Sequence, residues 1–319
     1  MDFLTKTIRL IIEGLVTGSI YSLVALGYTM VYGIIELINF AHGDIFMMGT
    51  LVTLLLVTNV FHLSNASAMP LGNLLLMLVV SFLASTVICA LLGVLIERVA
   101  YRPLRNAPRL APLISAIGVS LALEDTAKAI IGPSAVTTPP LIPLVNYSWG
   151  PILLHNTDII VLIVAVLLMV GLQWLVTSTR IGRAMRAVAQ DREAAALMGV
   201  NVDQVIAFTF LVGAGIAGAG GFFFLLWSND TSFNIGFELG LFAFTAAVLG
   251  GIGNLVGAML GGLAIGLIRS LMALWPETPP FGLPHGGVSW QDAAVFAILI
   301  LILVFRPTGL LGQQLAEKV

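Results

Sequence analysis

The sequence predicts an all-α polytopic membrane protein of eight to nine transmembrane helices, some of them short or broken. Three observations lead there. The 319 residues are 59% hydrophobic and 9% charged, with a mean hydropathy of +1.05. Apolar runs of the roughly 17–25 residues needed to cross a bilayer as helix recur from one end to the other. The chain also holds 33 glycines, a residue that lets membrane helices approach closely.

In chain order the candidate spans are Leu10–Ile35, Ile45–Phe61, Leu71–Ile96, Leu110–Ile131, Ile159–Thr177, Gln204–Trp227, Leu239–Trp275 and Gln291–Phe305. The seventh is too long for one helix. Gly250-Gly251-Ile252-Gly253-Asn254 interrupts it, so two short helices are expected there. The last is short and begins beside Trp290, an interfacial anchor. The opening apolar run outlasts a signal-peptide core, so no cleavable leader is expected. One domain, 1–319, is expected, with no soluble appendage.

The basic residues set the orientation. Arg98, Arg102, Arg105 and Arg109 share one connection, and Arg180, Arg183, Arg186 and Arg192 share another. The connections 62–70, 132–157, 228–238 and 276–290 hold neither Lys nor Arg. The positive-inside rule therefore puts both Arg-rich loops, and the C-terminus with Arg306 and Lys318, in the cytoplasm. The start of the chain conflicts with this. Three apolar stretches precede Arg98, which places the N-terminus outside, whereas Lys6 and Arg9 favour inside. Either Ile45–Phe61 does not fully span, or two basic residues are tolerated outside. The outer connections include TTPPLIPLVNYSWGP (137–151) and PETPPFGLPHGG (276–287), whose prolines predict ordered loops rather than helices.

Small residues recur four apart: Gly14/Gly18, Gly213/Ala217/Gly221, Ala214/Gly218, Gly253/Gly257/Gly261 and Gly262/Gly266. This spacing lines one helix face for close packing, and a pore or a mobile interface could use the same faces. Gly213–Gly218 matches GxGxxG but lies mid-helix within a span, not in the strand-to-helix turn that a dinucleotide site needs. No GxxxxGK[ST] occurs, so ATP is not expected to bind here through a P-loop. Glu13, Glu124, Asp125 and Lys128 are ionisable groups in spans, where hydrocarbon penalises charge. Lys128 follows Asp125 and Glu124 by three and four residues, so a local ion pair is expected, with a proton-coupling role as the alternative. Glu97 and Arg98 read as interfacial.

Residues 38–44, INFAHGD, interrupt two apolar runs. His42 and Asp44 are too few for a metal site, which needs three or four ligands, and one cysteine and four histidines cannot supply the rest. A turn fits better. Gly43 permits a bend, Asp44 suits a helix N-terminus, and Asn39 can bond backbone at a helix end. Non-helical backbone at membrane depth survives only where protein or water covers it. Asn39, His42, Gly43 and Asp44, with Gly250, Gly251, Gly253 and Asn254, are thus candidates for a translocation path or a helix break.

TRIGRAMRAVAQDREAAALMGVN (179–201) predicts a short amphipathic helix. Arg183, Arg186, Gln190 and Glu193 share a face, Ala184, Val188, Ala195 and Met198 fall largely elsewhere, and Gly199 is the stop. A lipid-surface helix would set Trp, Phe or Leu opposite the charges. Ala and Met suit a protein groove.

Glu193-Ala194-Ala195, followed by Gly199, resembles the EAA–x3–G motif of ABC-importer permeases, without the later proline of the fuller motif. ALGYTMVYGIIELINFAHGD (25–44), IERVAYRPLR (96–105), RLAPLISAIGVS (109–120), FTAAVLGGIGNLVGAMLGG (244–262) and RPTGLLG (306–312) together resemble the high-affinity branched-chain amino acid permeases of the LivH type. The resemblance implies the ABC importer permease fold in a bacterial inner membrane. It implies a second homologous permease as heterodimer partner, two cytoplasmic ABC ATPases that carry ATP and Mg, and a periplasmic binding protein for leucine, isoleucine and valine. This chain would itself bind no cofactor, catalyse no reaction and meet no nucleic acid. Arg183, Arg186, Gln190, Asp191, Glu193, Ala194, Ala195 and Gly199 would couple it to the ATPases. Urea and short-amide importers share the INFAHG-type segment and remain the nearest substrate alternative. A proton-coupled secondary transporter and a structural or signalling membrane protein are the readings from other classes.

Overall fold

The computed structural model describes residues 3–35, 39–64, 66, 69–105, 107–108, 110–149, 152–276, 285–306 and 308–312. Arg109, Lys318 and most of the 276–287 loop lie outside these residues.

The helices are α1 (Phe3–Ile35), α2 (His42–Leu55, continued by a wider turn to Val60), α3 (Leu71–Ile96), α4 (Leu110–Ile131) and α5 (Asn156–Ser178). Two short helices, α6 (Arg180–Gln190) and α7 (Arg192–Leu197), precede α8 (Val202–Ser228), α9 (Ile235–Gly250), α10 (Leu255–Met272) and α11 (Gln291–Phe305). Among the described residues, eight helical segments are long and apolar enough to cross a membrane, and α9 is a shorter apolar ninth. The expected break divides α9 from α10, with Gly251 (φ 104°) and Gly253 (φ 92°) in conformations that favour glycine. The Pro-rich connection 132–157 holds short strands, as a loop rather than a helix. β1 (Val136–Thr137) pairs antiparallel with β4 (Asp230–Thr231), and β2 (Asn146–Trp149) with β3 (Ile152–His155).

α8 is the centre: 72% of its apolar window is buried, against 6% for α11 at the edge. The small-residue faces explain how α8 and α1 become central. A Cβ on Gly18 would stand 2.9 Å from the Gly262 carbonyl oxygen, and one on Gly14 would stand 3.0 Å from that of Gly266. α1 and α10 therefore touch backbone to backbone, and Ser22 Oγ donates across the seam to the Met259 carbonyl at 2.7 Å. On α8, a Cβ at Gly218 would stand 2.6 Å from Cys89 Cβ of α3, and one at Gly221 would stand 2.7 Å from Thr50 N of α2. These stripes are filled by contacts inside the chain.

The pairing of α1 with α10 resolves the conflict at the start of the chain. Arg192 donates to the Ile34 carbonyl at 2.6 Å, so the end of α1 lies with the second Arg-rich segment. Ser270 Oγ donates to the Leu10 carbonyl at 2.6 Å, so the beginning of α1 lies at the far end of the bundle. Arg9 is tolerated there because Glu13 pairs with it at 2.8 Å. The bundle thus has an arginine end and a far end.

A leucine at Gly266, where even a Cβ would overlap the backbone of α1, should destabilise the chain by about 1–3 kcal/mol or more. Gly171→Leu, in open space on α5, should leave it unchanged. Thermal unfolding in detergent, followed by size-exclusion chromatography, measures the contrast.

Candidate functional site

The segment 39–44 lies within the bundle. His42 packs edge-on against Tyr28, with ring centroids 4.9 Å apart, and its ring occupies the space beside Gly27. Gly27 precedes Ile34 by seven residues, which is about 10 Å of helix. The chain thus leaves α1 at the arginine end, and α2 begins about that far inside the bundle. Asn39, Ala41, His42, Gly43 and Asp44 are buried.

The chemistry of the break differs in two respects from the sequence expectation. Gly43 makes no sharp bend. It sits in the first turn of α2, where a Cβ would stand 2.8 Å from Gly240 Cα, so its lack of a side chain admits α9 rather than a turn. Asn39 does not bond backbone through its side chain; its Oδ1 accepts from Tyr101 Oη at 2.9 Å, while its main-chain carbonyl accepts from His42 N at 3.1 Å. Asp44 does lie in the first turn of α2, where free N–H groups and the helix dipole favour a carboxylate. Ser120 of α4 donates to its Oδ2. Among the described residues, Asn39 Nδ2, His42 Nε2 and Asp44 Oδ1 are buried without a hydrogen-bond partner. Unpaired buried groups are costly, so three in six residues single this segment out.

At the arginine end, Arg105 bridges two carboxylates, Glu97 of the α3 extension and Asp203 at the start of α8. Arg102 adds a second bond to Asp203. Glu97 is therefore 1% exposed and paired inward rather than interfacial. The predicted single amphipathic helix is two helices. Asp191 adopts an extended backbone (φ −156°) and caps α7, accepting from Glu193 N at 2.9 Å and Ala194 N at 3.1 Å. Capping by Asp stabilises a new start more than it supports a continuing helix, so the joint falls there. Met185, Val188 and Ala195 face the bundle, whereas Arg183, Arg186, Gln190, Glu193 and Ala194 are less buried. Gly199 ends the segment at φ 84°.

Other candidates fall elsewhere. Gly250, Gly251, Gly253 and Asn254 form a turn at the arginine end, where Leu310 N and Leu311 N donate to the carbonyls of Leu249 and Gly250. Asn254 caps α10 by accepting from Gly257 N and donates to the Leu311 carbonyl. Residues 310 and 311 thus bond to this break, which is separate from 39–44. Lys128 is not paired with Glu124 or Asp125. Its ammonium stands over the Phe233 ring, 5.3 Å from the centroid, an attraction that replaces the expected ion pair.

Sequence reasoning missed three features. Leu197 and Met198 are 89% and 85% exposed at the tip beyond α7. The Glu97–Arg105–Asp203 bridge joins residues far apart in sequence. Arg269, alone in the apolar run of α10, carries a signal that could have found it: a cation in a span is a functional candidate by default.

The family model described as "Branched-chain amino acid transport system / permease component" matches residues 10–303. This chain belongs to that permease family. The permease is 40% identical over 314 residues to the high-affinity branched-chain amino acid transport system permease protein BraD of Pseudomonas aeruginosa, covering 97% of each chain. It is 39% identical over 316 residues to the corresponding LivH protein of Escherichia coli K12, covering 96% of each. A more distant similarity, 29% over 147 residues and 44% of the permease, is to the autoinducer 2 import system permease protein LsrC of Yersinia pseudotuberculosis, of which it covers 39%. No solved structure matches the permease.

Arg105→Ala should leave the buried Glu97 uncompensated and cost about 3–5 kcal/mol. Adding Glu97→Gln should recover much of that loss. Thermal unfolding of the two variants checks this, and equal stability of both would contradict it.

Proposed function

We propose that the permease is the transmembrane subunit of an ATP-driven ABC importer for branched-chain amino acids in a bacterial inner membrane. The arginine end is then cytoplasmic, as the positive-inside rule requires, and the C-terminus lies on that side. The partners are a second homologous permease, two cytoplasmic ATPases that bind and hydrolyse ATP, and a periplasmic binding protein that delivers leucine, isoleucine or valine. The substrate assignment draws on the names of the relatives above. ATP hydrolysis belongs to the partners, and this chain's part is to open and close a path.

One observation carries the mechanism: the short helix that ends in an exposed apolar tip is bonded at its start to the end of α1. Leu197 and Met198 project from the cytoplasmic face, and polarisable Met suits an adaptable protein groove. Arg192, at the start of the short helix that leads to this tip, holds the Ile34 carbonyl. Beyond Ile35 the chain leads into the buried break at 39–44. Closure of the ATPases would move α6–α7 and, through Arg192, the end of α1. The break, where three buried polar atoms lack partners, is the part of the path able to change its bonding. The glycine seams would carry α1 and α10 together as one body, while α2 and α4 shift around Asp44 and Ser120.

In the reconstituted assembly, Glu193→Arg, Gly199→Pro and Leu197→Glu should lower uptake of labelled leucine by about tenfold or more, within the usual range of coupling energies. ATPase activity and membrane insertion should persist. Gly199→Pro acts because proline cannot reach φ 84°. Normal uptake in all three would remove α6–α7 from the coupling role. Uptake should also stop on ATP depletion and survive collapse of the proton gradient. The reverse would mark a secondary transporter, and uptake of urea in place of leucine would reassign the substrate.

A further inference from the structure

A cavity of about 340 Å³ opens toward the far end between α1, α8, α9 and α10. Its size falls at the lower end of small-molecule sites, about 300–1,000 Å³. Its walls combine two kinds of surface. Phe224, Trp227 and Leu239 supply apolar area, and Tyr21, Asp230, Glu238 and Arg269 supply polar groups of both signs.

Arg269 is held from behind. Its guanidinium stacks on Phe242, 4.3 Å from the ring centroid, and Nη1 donates to Tyr21 Oη at 2.6 Å. Its carboxylate neighbours are looser: Asp292 at 3.3 Å from Nε and Glu238 at 3.8 Å from Nη2. Close charge-assisted bonds run about 2.7–2.9 Å, so neither carboxylate claims the guanidinium fork fully. A planar fork fixed by a ring and a hydroxyl is suited to receive a carboxylate in bidentate fashion. Across the same cavity Asp230 and Glu238 offer two carboxylates to one guanidinium, and this surplus favours a ligand that also brings a cation.

We propose that this cavity is a receiving station for the zwitterion of an α-amino acid with an aliphatic side chain. Arg269 and Tyr21 take its carboxylate, Asp230 and Glu238 take its ammonium, and Phe224, Trp227 and Leu239 cover the side chain. The inference rests on the amino-acid import reading and adds a binding site within this chain to it. A substrate released at the far end would thus meet matched charges before it moves along the path. Carboxylate neighbours that hold Arg269 loosely can release it to the ligand and recover it afterwards, which suits a transient stop.

Ser232, half-buried at the rim, permits a direct test. In the full chain carrying Ser232→Cys, reconstituted in lipid with its partners, the rate of labelling by a membrane-impermeant maleimide reports occupancy. The native Cys89 is fully buried and contributes no background. Leucine at about four times its dissociation constant should slow labelling about fivefold by mass action. Leucinol, which keeps the ammonium and lacks the carboxylate, should protect more weakly, and 4-methylpentanoate, which lacks the ammonium, should not protect. In Arg269→Gln the advantage of leucine over leucinol should vanish, while labelling without ligand stays unchanged, a sign of intact folding. If that variant fails to fold, Tyr21→Phe should narrow the same advantage. Equal protection by leucine and leucinol in the native background, or no protection by leucine, overturns the station. Uptake of labelled leucine and of urea in the same vesicles tests the import reading separately. Leucine uptake without protection sinks the station alone, and urea uptake without leucine uptake or protection sinks both.

Discussion

Backbone that leaves the helix inside a packed bundle must find partners and cover within the protein, and much of this structure is organised around meeting that demand at residues 39–44. The main chain there is closed by the Asn39 carbonyl accepting from His42 N, and the side chains are enclosed by α1, α3, α4 and α9. Tyr101 reaches in from the wider turn Glu97–Tyr101 that continues α3, Ser120 from α4 and Tyr28 from α1. Such enclosure requires helices to approach more closely than side chains normally allow. Gly27 makes room for the His42 ring, Gly43 admits Gly240, and Gly49 meets Gly218, where a Cβ would stand 2.7 Å from the Gly218 carbonyl oxygen. The glycine content is therefore the condition for a covered break, beyond its general use in helix packing.

Two parts of the same arrangement differ in their bonding. The α1–α10 seam has backbone in contact with backbone and hydrogen bonds at both ends, from Ser22 to Met259 and from Ser270 to Leu10. The turn at 250–254 is bonded to the chain after α11. By contrast, the break keeps three buried polar atoms without partners. Arg192 links this region to the surface through a single hydrogen bond to Ile34. A force applied to α6–α7 would therefore reach α1 at its end nearest the break.

The helical frame is legible in the sequence, and local chemistry explains which parts are. α3, α4 and α11 have the bounds their apolar runs predict, and the glycine run 250–253 announces the division of α9 from α10. The joint at Asp191 is also readable, since Asp two residues before Glu193 is a capping signal, although periodicity argues for one helix. Other features depend on residues distant in sequence. Gly43 looks like a turn glycine because its neighbour Gly240 is supplied by a helix far along the chain. Glu97 looks interfacial because nothing local shows that Arg105 folds back onto it. Lys128 has two acidic neighbours on its own helix, yet a ring from the loop before α9 takes its charge. Arg269 stands out as a lone cation in a span, but its partners are not legible, because Tyr21, Glu238 and Asp292 come from three other elements.

The central claim is that the buried break and the exposed α6–α7 segment respond together to the ATPases. Amide hydrogen exchange in the lipid-reconstituted assembly measures this most directly, with the resting complex compared against one trapped with nucleotide. The account predicts that exchange at residues 39–46 changes together with that at 188–199, and that the change at 39–46 is lost in Arg192→Ala. A change confined to α6–α7, with 39–46 unaltered by nucleotide, would contradict it.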